Sequence, residues 1–136
     1  MCATQKFAWF NLLVVGLTLT AIAVLVPFLG KGALGGLGFT GLMGFGPFFF
    51  RRKAGQVVAD ERDALIQKRS WIVAYALFWV VYVGAAVGLC PLLYGDAGAV
   101  PVEVVQLSVA FGFLFVYAVA SIAMLVQYTG GPKNAD

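Results

Sequence analysis

Chemically reactive side chains are few in this chain of 136 residues. Asp60, Glu61 and Asp63 form an acidic cluster, while the chain has no His and only two Cys. The cluster lacks the ligand spacing and the glycine of a calcium loop, and zinc sites need His or several Cys. We therefore predict a protein that is not an enzyme, with no catalytic residue, no metal site and no bound cofactor.

A glycine motif raises a second chemical possibility. The run Gly36-x-Gly38-x-x-Gly41 has the form of a dinucleotide-binding fingerprint. Such a fingerprint works only after a strand, within a βαβ unit. Here the motif lies inside a long apolar stretch, so we reject nucleotide binding.

The composition indicates a membrane protein. Hydrophobic residues make up 62% of the chain and charged residues 11%, against about 45–50% and about 25% in soluble domains. Since a membrane-spanning helix needs about 20 apolar residues, the sequence predicts an all-α, polytopic membrane protein. It is a four-transmembrane-helix bundle forming one domain over residues 1–136, with spans at about 7–29, 33–50, 71–94 and 102–128.

The basic residues predict the orientation of these spans. Eight of the nine Lys and Arg residues lie before the first span, between spans two and three, or after the fourth, and only Lys31 lies on the other side. Because basic residues are retained in the cytoplasm, we predict both termini and the segment 51–70 to be cytoplasmic (N-in/C-in). Setting topology and contacting anionic lipid are the roles we expect for Arg51, Arg52, Lys53 and Arg69.

Small residues recur at a spacing of four in two of the spans. This small-xxx-small pattern lets helix backbones approach closely. The interpretations are packing within one bundle, a face for self-association, or a flexible gating element. The predicted helix-packing residues are Gly32, Gly36, Thr40, Gly44, Gly84 and Gly88.

Aromatic residues form a stripe in the third span. They follow one another at helical spacing and fall on one broad face: Trp71, Tyr75, Phe78, Trp79 and Tyr82. Buried Tyr and Trp usually form hydrogen bonds, so the stripe predicts polar contacts between helices. It is either ordinary packing or the lining of a pocket for a quinone, lipid or pigment.

The cytoplasmic segment 51–70 contains nine of the fifteen charges. Its basic residues could simply set topology and contact lipid, or the segment could dock a cytoplasmic protein. A metal or catalytic cluster lacks further ligands, and direct nucleic-acid binding is not expected because acidic residues interrupt the basic ones.

The run 60–69, DERDALIQKR, resembles the DER[DE]xxIxxK signature of the small DUF2178-type predicted membrane proteins of bacteria and archaea. Similar small four-span proteins are often encoded beside a helix-turn-helix regulator, so the resemblance implies a membrane partner of such a regulator. It also implies a multi-pass protein of the inner membrane. The glycine-rich second span departs from the family pattern. The partner-binding positions that the resemblance implies are Asp60, Glu61, Arg62, Asp63, Ile66 and Lys68.

These observations predict a non-enzymatic integral inner-membrane protein whose segment 51–70 docks a protein partner, with a transcriptional regulator as one candidate. The alternatives are an oligomeric channel- or transporter-like assembly packed through the glycine-rich span, or an accessory subunit of a larger membrane complex. The predicted partners are membrane lipid and either a protein or further copies of the chain.

Overall fold

A computed structural model describes residues 3–45, 61–95 and 99–130, and every regular element within these ranges is helical. The basic residues Arg51, Arg52 and Lys53, and also Asp60, lie outside the described residues. The elements are α1 (Ala3–Leu29), a 3₁₀ helix (Gly30–Phe45), α2 (Glu61–Gly84), a π-helical turn (Ala85–Leu89), α3 (Cys90–Tyr94) and α4 (Val102–Thr129).

Three helical stretches are long and apolar enough to cross a membrane. Within the described residues they are Thr4–Leu29, Glu61–Tyr94 and Val102–Thr129. The prediction of an all-α membrane protein is thereby confirmed. The acidic first turn of α2 explains why it begins before the apolar run, since carboxylates stabilise a helix N-terminus and Glu61 and Asp63 supply them.

The glycine-rich segment differs from the α-helical span that its hydropathy predicts, because it forms a 3₁₀ helix over Gly30–Phe45. In a 3₁₀ helix, residues three apart eclipse each other, and glycine relieves that crowding because it has no Cβ. With a rise of about 2.0 Å per residue, these 16 residues extend about 32 Å, comparable with the roughly 30 Å of a bilayer core. TM-helix criteria are therefore met by the first, third and fourth predicted spans. The second span, at 33–50, stays a prediction, and the greater rise of the 3₁₀ helix favours it.

The turn between α1 and the 3₁₀ helix is made at Gly30. Its φ of +52° lies in the left-handed region that glycine adopts without a steric penalty. The chain therefore reverses at once, and the 3₁₀ helix packs back along α1.

Helix α4 is the central packing element, with contacts to both α1 and α2. In one apolar cluster Val14 and Val15 of α1 pack with Met43 and Leu114. In a second cluster Ala74 of α2 packs against α4. Both neighbouring helices run antiparallel to α4.

A third cluster gathers the beginnings of α1 and α2 and the end of α4. Its buried members are Ala8, Ile66 and Met124, with Trp71 and Tyr128 packed against them. One end of the bundle therefore contains the first turns of two helices and the last turn of a third. The side of the membrane that this end faces stays a prediction from the charge distribution.

Helices α1 and α4 bury polar groups as well as apolar ones. The Thr18 hydroxyl donates to the Val14 carbonyl oxygen at 2.8 Å. Asn11 Oδ1 and Ser121 Oγ are buried without a hydrogen-bond partner in the described part of the chain. Each unpaired polar atom costs about 1–3 kcal/mol, so the packing of these helices is stabilised by their apolar clusters.

Candidate functional site at the start of α2

The start of α2 has two faces with different roles. Asp63, Ile66, Ser70 and Ala74 recur at the spacing of one helix face and point toward the bundle. Ile66 is 6% exposed, and Ser70 and Ala74 are fully buried, while Asp63 is half-buried. This face holds α2 against α4.

Two hydrogen bonds attach this inward face to the last turns of α4. The Tyr128 hydroxyl donates to Asp63 Oδ1 at 2.5 Å, and Gln127 Nε2 donates to Ser70 Oγ at 2.9 Å. A hydrogen bond to a charged carboxylate is stronger than one between neutral groups. The two bonds therefore determine the position of the charged segment relative to the bundle.

The outward face presents charges around one apolar side chain. Leu65 is 47% exposed, and the residues three and four positions away on either side are all exposed and charged: Glu61, Arg62, Lys68 and Arg69. An apolar centre with a polar rim is the usual anatomy of a protein interface. The described residues contain no group of three or more His, Cys, Asp or Glu placed to hold a metal ion.

The predicted partner-binding residues thus divide between the two faces. Glu61, Arg62 and Lys68 lie on the outward face, whereas Asp63 and Ile66 lie on the inward one. The sequence prediction did not include Leu65, Ser70, Gln127 or Tyr128. The repeat of buried positions at intervals of three and four from Asp63 to Ala74 is the signal that could have found the inward face.

Of the predicted helix-packing residues, Gly36 lies closest to another helix. A Cβ placed there would be 3.0 Å from Ile22 Cγ1 and 3.4 Å from the Ile22 backbone nitrogen. The Thr40 hydroxyl donates to the Leu37 carbonyl oxygen within its own helix, and a Cβ on Gly32 would lie 3.6 Å from the Leu29 side chain. A Cβ at Gly44, Gly84 or Gly88 would meet no described atom within 4 Å, so a packing role for these three stays a prediction.

Gly112 of α4 is a further close approach that the prediction did not include. A Cβ at this position would lie 2.8 Å from Cε2 of Phe78 on α2. The Phe78 ring of α2 therefore packs directly against the backbone of α4 at Gly112.

The 3₁₀ helix also has an outer strip of glycine. Gly35, Gly38, Gly41 and Gly44 are exposed, and a Cβ on any of them would meet nothing within 4 Å in the described part of the chain. Their spacing of three places them on one face of a helix with three residues per turn. The spacing of four used in the sequence prediction does not stay on one face of such a helix.

The fold and the site together define a helical protein embedded in a membrane, with a charged helix start attached to one end of its bundle. The chain belongs to the DUF2178 family of predicted membrane proteins, whose family model matches residues 4–126. The family resemblance drawn from the sequence is thereby confirmed. Neither a curated protein nor a solved structure matches the chain.

Proposed function

We propose that this protein is a non-enzymatic component of the bacterial or archaeal inner membrane, with both termini in the cytoplasm, that docks a soluble protein through residues 51–70. The observation that carries the proposal is the exposed Leu65 surrounded by the exposed charges of Glu61, Arg62, Lys68 and Arg69. A transcriptional regulator is the class of partner that the family resemblance suggests.

The surroundings of Leu65 support docking because they combine fixed geometry with accessible charge. The hydrogen bonds from Tyr128 to Asp63 and from Gln127 to Ser70 hold the opposite face of the helix. Ordering the outward side chains against a partner costs conformational entropy, and a helix that is already held loses less of it. Charges of both signs on one face would also orient an approaching partner.

Photo-cross-linking in cells tests this proposal. A photoreactive phenylalanine analogue at Leu65 should form one discrete adduct with a soluble protein that contains a DNA-binding helix-turn-helix. Exchanging the two neighbouring charges, Glu61→Arg with Arg62→Glu, keeps the number of basic residues and therefore the topology signal. We expect this exchange to reduce the adduct at least about tenfold, which corresponds to 1.4 kcal/mol of binding.

Ile72 is the matched control position. It is exposed, lies two turns further along the same face of α2, and follows the last charge of the helix, Arg69. The same analogue at Ile72 should form adducts with lipid alone. Lipid adducts alone at Leu65, or a protein adduct that survives the charge exchange, would show that this segment only sets topology and contacts the membrane surface.

A second candidate function is an oligomeric, channel- or transporter-like assembly, and the exposed glycine strip of the 3₁₀ helix favours it. Small residues let two helices approach closely within a membrane. Exposed glycines at Gly35, Gly38, Gly41 and Gly44 offer such a surface to another copy of the chain. The same strip would suit an accessory subunit packed against a larger complex.

Replacing Gly38 by Leu tests assembly through this strip. A Cβ there would meet nothing within 4 Å in the described structure, so the chain should still fold, while the close approach of a second copy is blocked. We expect the mass measured by light scattering in mild detergent to fall from that of an oligomer to that of a monomer. Ala76→Leu, an equally large addition at an exposed position of α2, should leave the mass unchanged. A monomeric parent protein, or an oligomer that tolerates Gly38→Leu, would contradict this candidate.

A further inference from the structure

An open groove of about 240 Å³ lies between α2 and α4. Its first lining residue, Trp71, follows closely after Arg69, which is the last charged residue of α2. The groove therefore lies near the end of the apolar span that is closest to the membrane surface. Five aromatic rings and one glycine form most of its surface: Trp71, Tyr75, Phe78, Gly112, Phe113 and Tyr117.

The aromatic rings form two walls. Tyr75 is tilted against Trp71 with ring centroids 5.8 Å apart, and Phe113 lies 4.6 Å from Tyr117 on the other helix. Trp71 meets Tyr117 edge to face at 5.3 Å, with an interplanar angle of 87°. These are the offset and edge-to-face geometries that aromatic pairs prefer. Because Trp71 and Tyr117 touch, the two walls meet at the floor of the groove, and a further flat ring can pack only from its open side.

The groove also contains two tyrosine hydroxyls, those of Tyr75 and Tyr117. In the described part of the chain neither Tyr75 nor Tyr117 forms a hydrogen bond through its hydroxyl, in contrast to Tyr128, which donates to Asp63. Polar groups within a membrane are costly unless they are hydrogen-bonded. A ligand with an oxygen acceptor would satisfy both donors.

We propose that this groove binds the head group of a lipid-soluble quinone. The flat ring would pack on the aromatic side chains from the open side of the groove, and its carbonyl oxygens would accept hydrogen bonds from Tyr75 and Tyr117. A volume of about 240 Å³ is below the roughly 300–1,000 Å³ of sites that enclose a whole drug-sized ligand. The groove therefore holds one ring, and the isoprenoid tail extends into the bilayer. A saturated acyl chain offers no acceptor to the hydroxyls.

Tryptophan fluorescence in lipid nanodiscs tests the proposal, because quinones quench indole fluorescence on contact. In the full chain with Trp9→Phe and Trp79→Phe, Trp71 is the remaining tryptophan. Titration with a benzoquinone carrying one prenyl unit should quench Trp71 to a plateau.

The hydroxyl variants then test the assigned donors. Tyr75→Phe with Tyr117→Phe keeps the ring walls and should weaken quinone binding at least about tenfold, equivalent to 1.4 kcal/mol. Tyr82→Phe removes a hydroxyl from the same helix outside the groove and should bind as the parent does. Linear quenching of Trp71, or equal affinity of the double variant and the parent, would overturn the proposal. The groove would then be filled by ordinary lipid acyl chains.

Discussion

Replacing Gly36 by Leu should separate the 3₁₀ helix from α1 and destabilise the protein by about 1–3 kcal/mol, the usual cost of overpacking. Even a Cβ at this position would lie 3.0 Å from Ile22 Cγ1 and 3.4 Å from the Ile22 backbone nitrogen. The side chain of Ile22 can move by a few tenths of an ångström, but its backbone nitrogen belongs to the continuous helix α1. The clash is therefore relieved by movement of the 3₁₀ helix.

The neighbouring glycine provides the control for this prediction. Gly35 is exposed and a Cβ there would meet nothing within 4 Å, so Gly35→Leu should leave the packing against α1 intact. Both replacements change backbone freedom and helix propensity by the same amount, so their difference isolates the steric effect. Because Gly35 belongs to the exposed glycine strip, the comparison is made on the monomer. Its thermal unfolding in detergent should give a midpoint several degrees lower for Gly36→Leu than for Gly35→Leu. Equal midpoints would mean that the close approach at Ile22 contributes nothing to stability.

The sequence alone could not predict which of these two adjacent glycines packs against α1. In an apolar span every face is hydrophobic, so hydropathy does not reveal which side of the helix meets protein and which meets lipid. The glycine spacing was ambiguous as well, because Gly32, Gly36 and Gly44 share a face at four-residue intervals only in an α-helix. The period of three through Gly35 and Gly38 describes the 3₁₀ helix that formed.

The long helices were predictable because their signals are strong and local. Continuous apolar runs predicted the membrane-spanning parts of α1, α2 and α4. The hydrogen bond from Tyr128 to Asp63 was not predictable, because it joins residues far apart in the chain. The aromatic groove was not predictable for the same reason, since its residues Tyr75 and Tyr117 come together only when α2 packs against α4.

The inward face of α2 predicts a large loss of stability for Ile66→Ala. Ile66 is 6% exposed and packs with Ala8 and Met124, and truncating a buried Ile to Ala typically costs about 2–5 kcal/mol. Within hydrocarbon such a cost would be smaller, because lipid is as apolar as the packing partners. Ile66, however, precedes the charges of Lys68 and Arg69, so separating the helices exposes it to water or lipid head groups. Equilibrium unfolding in mixed detergent measures the loss.

Comparison with Leu65→Ala tests whether the two faces of α2 have different roles. Leu65→Ala removes an aliphatic side chain one position away, but that side chain is 47% exposed and its loss should change the free energy of unfolding by less than about 0.5 kcal/mol. The milder Ile66→Val should fall between the two, at about 0.5–1.5 kcal/mol. If Ile66 instead contacted the partner directly, Ile66→Ala would abolish docking without lowering stability. A destabilised Ile66→Ala beside a stable Leu65→Ala that no longer binds the partner would assign packing to one face of α2 and recognition to the other.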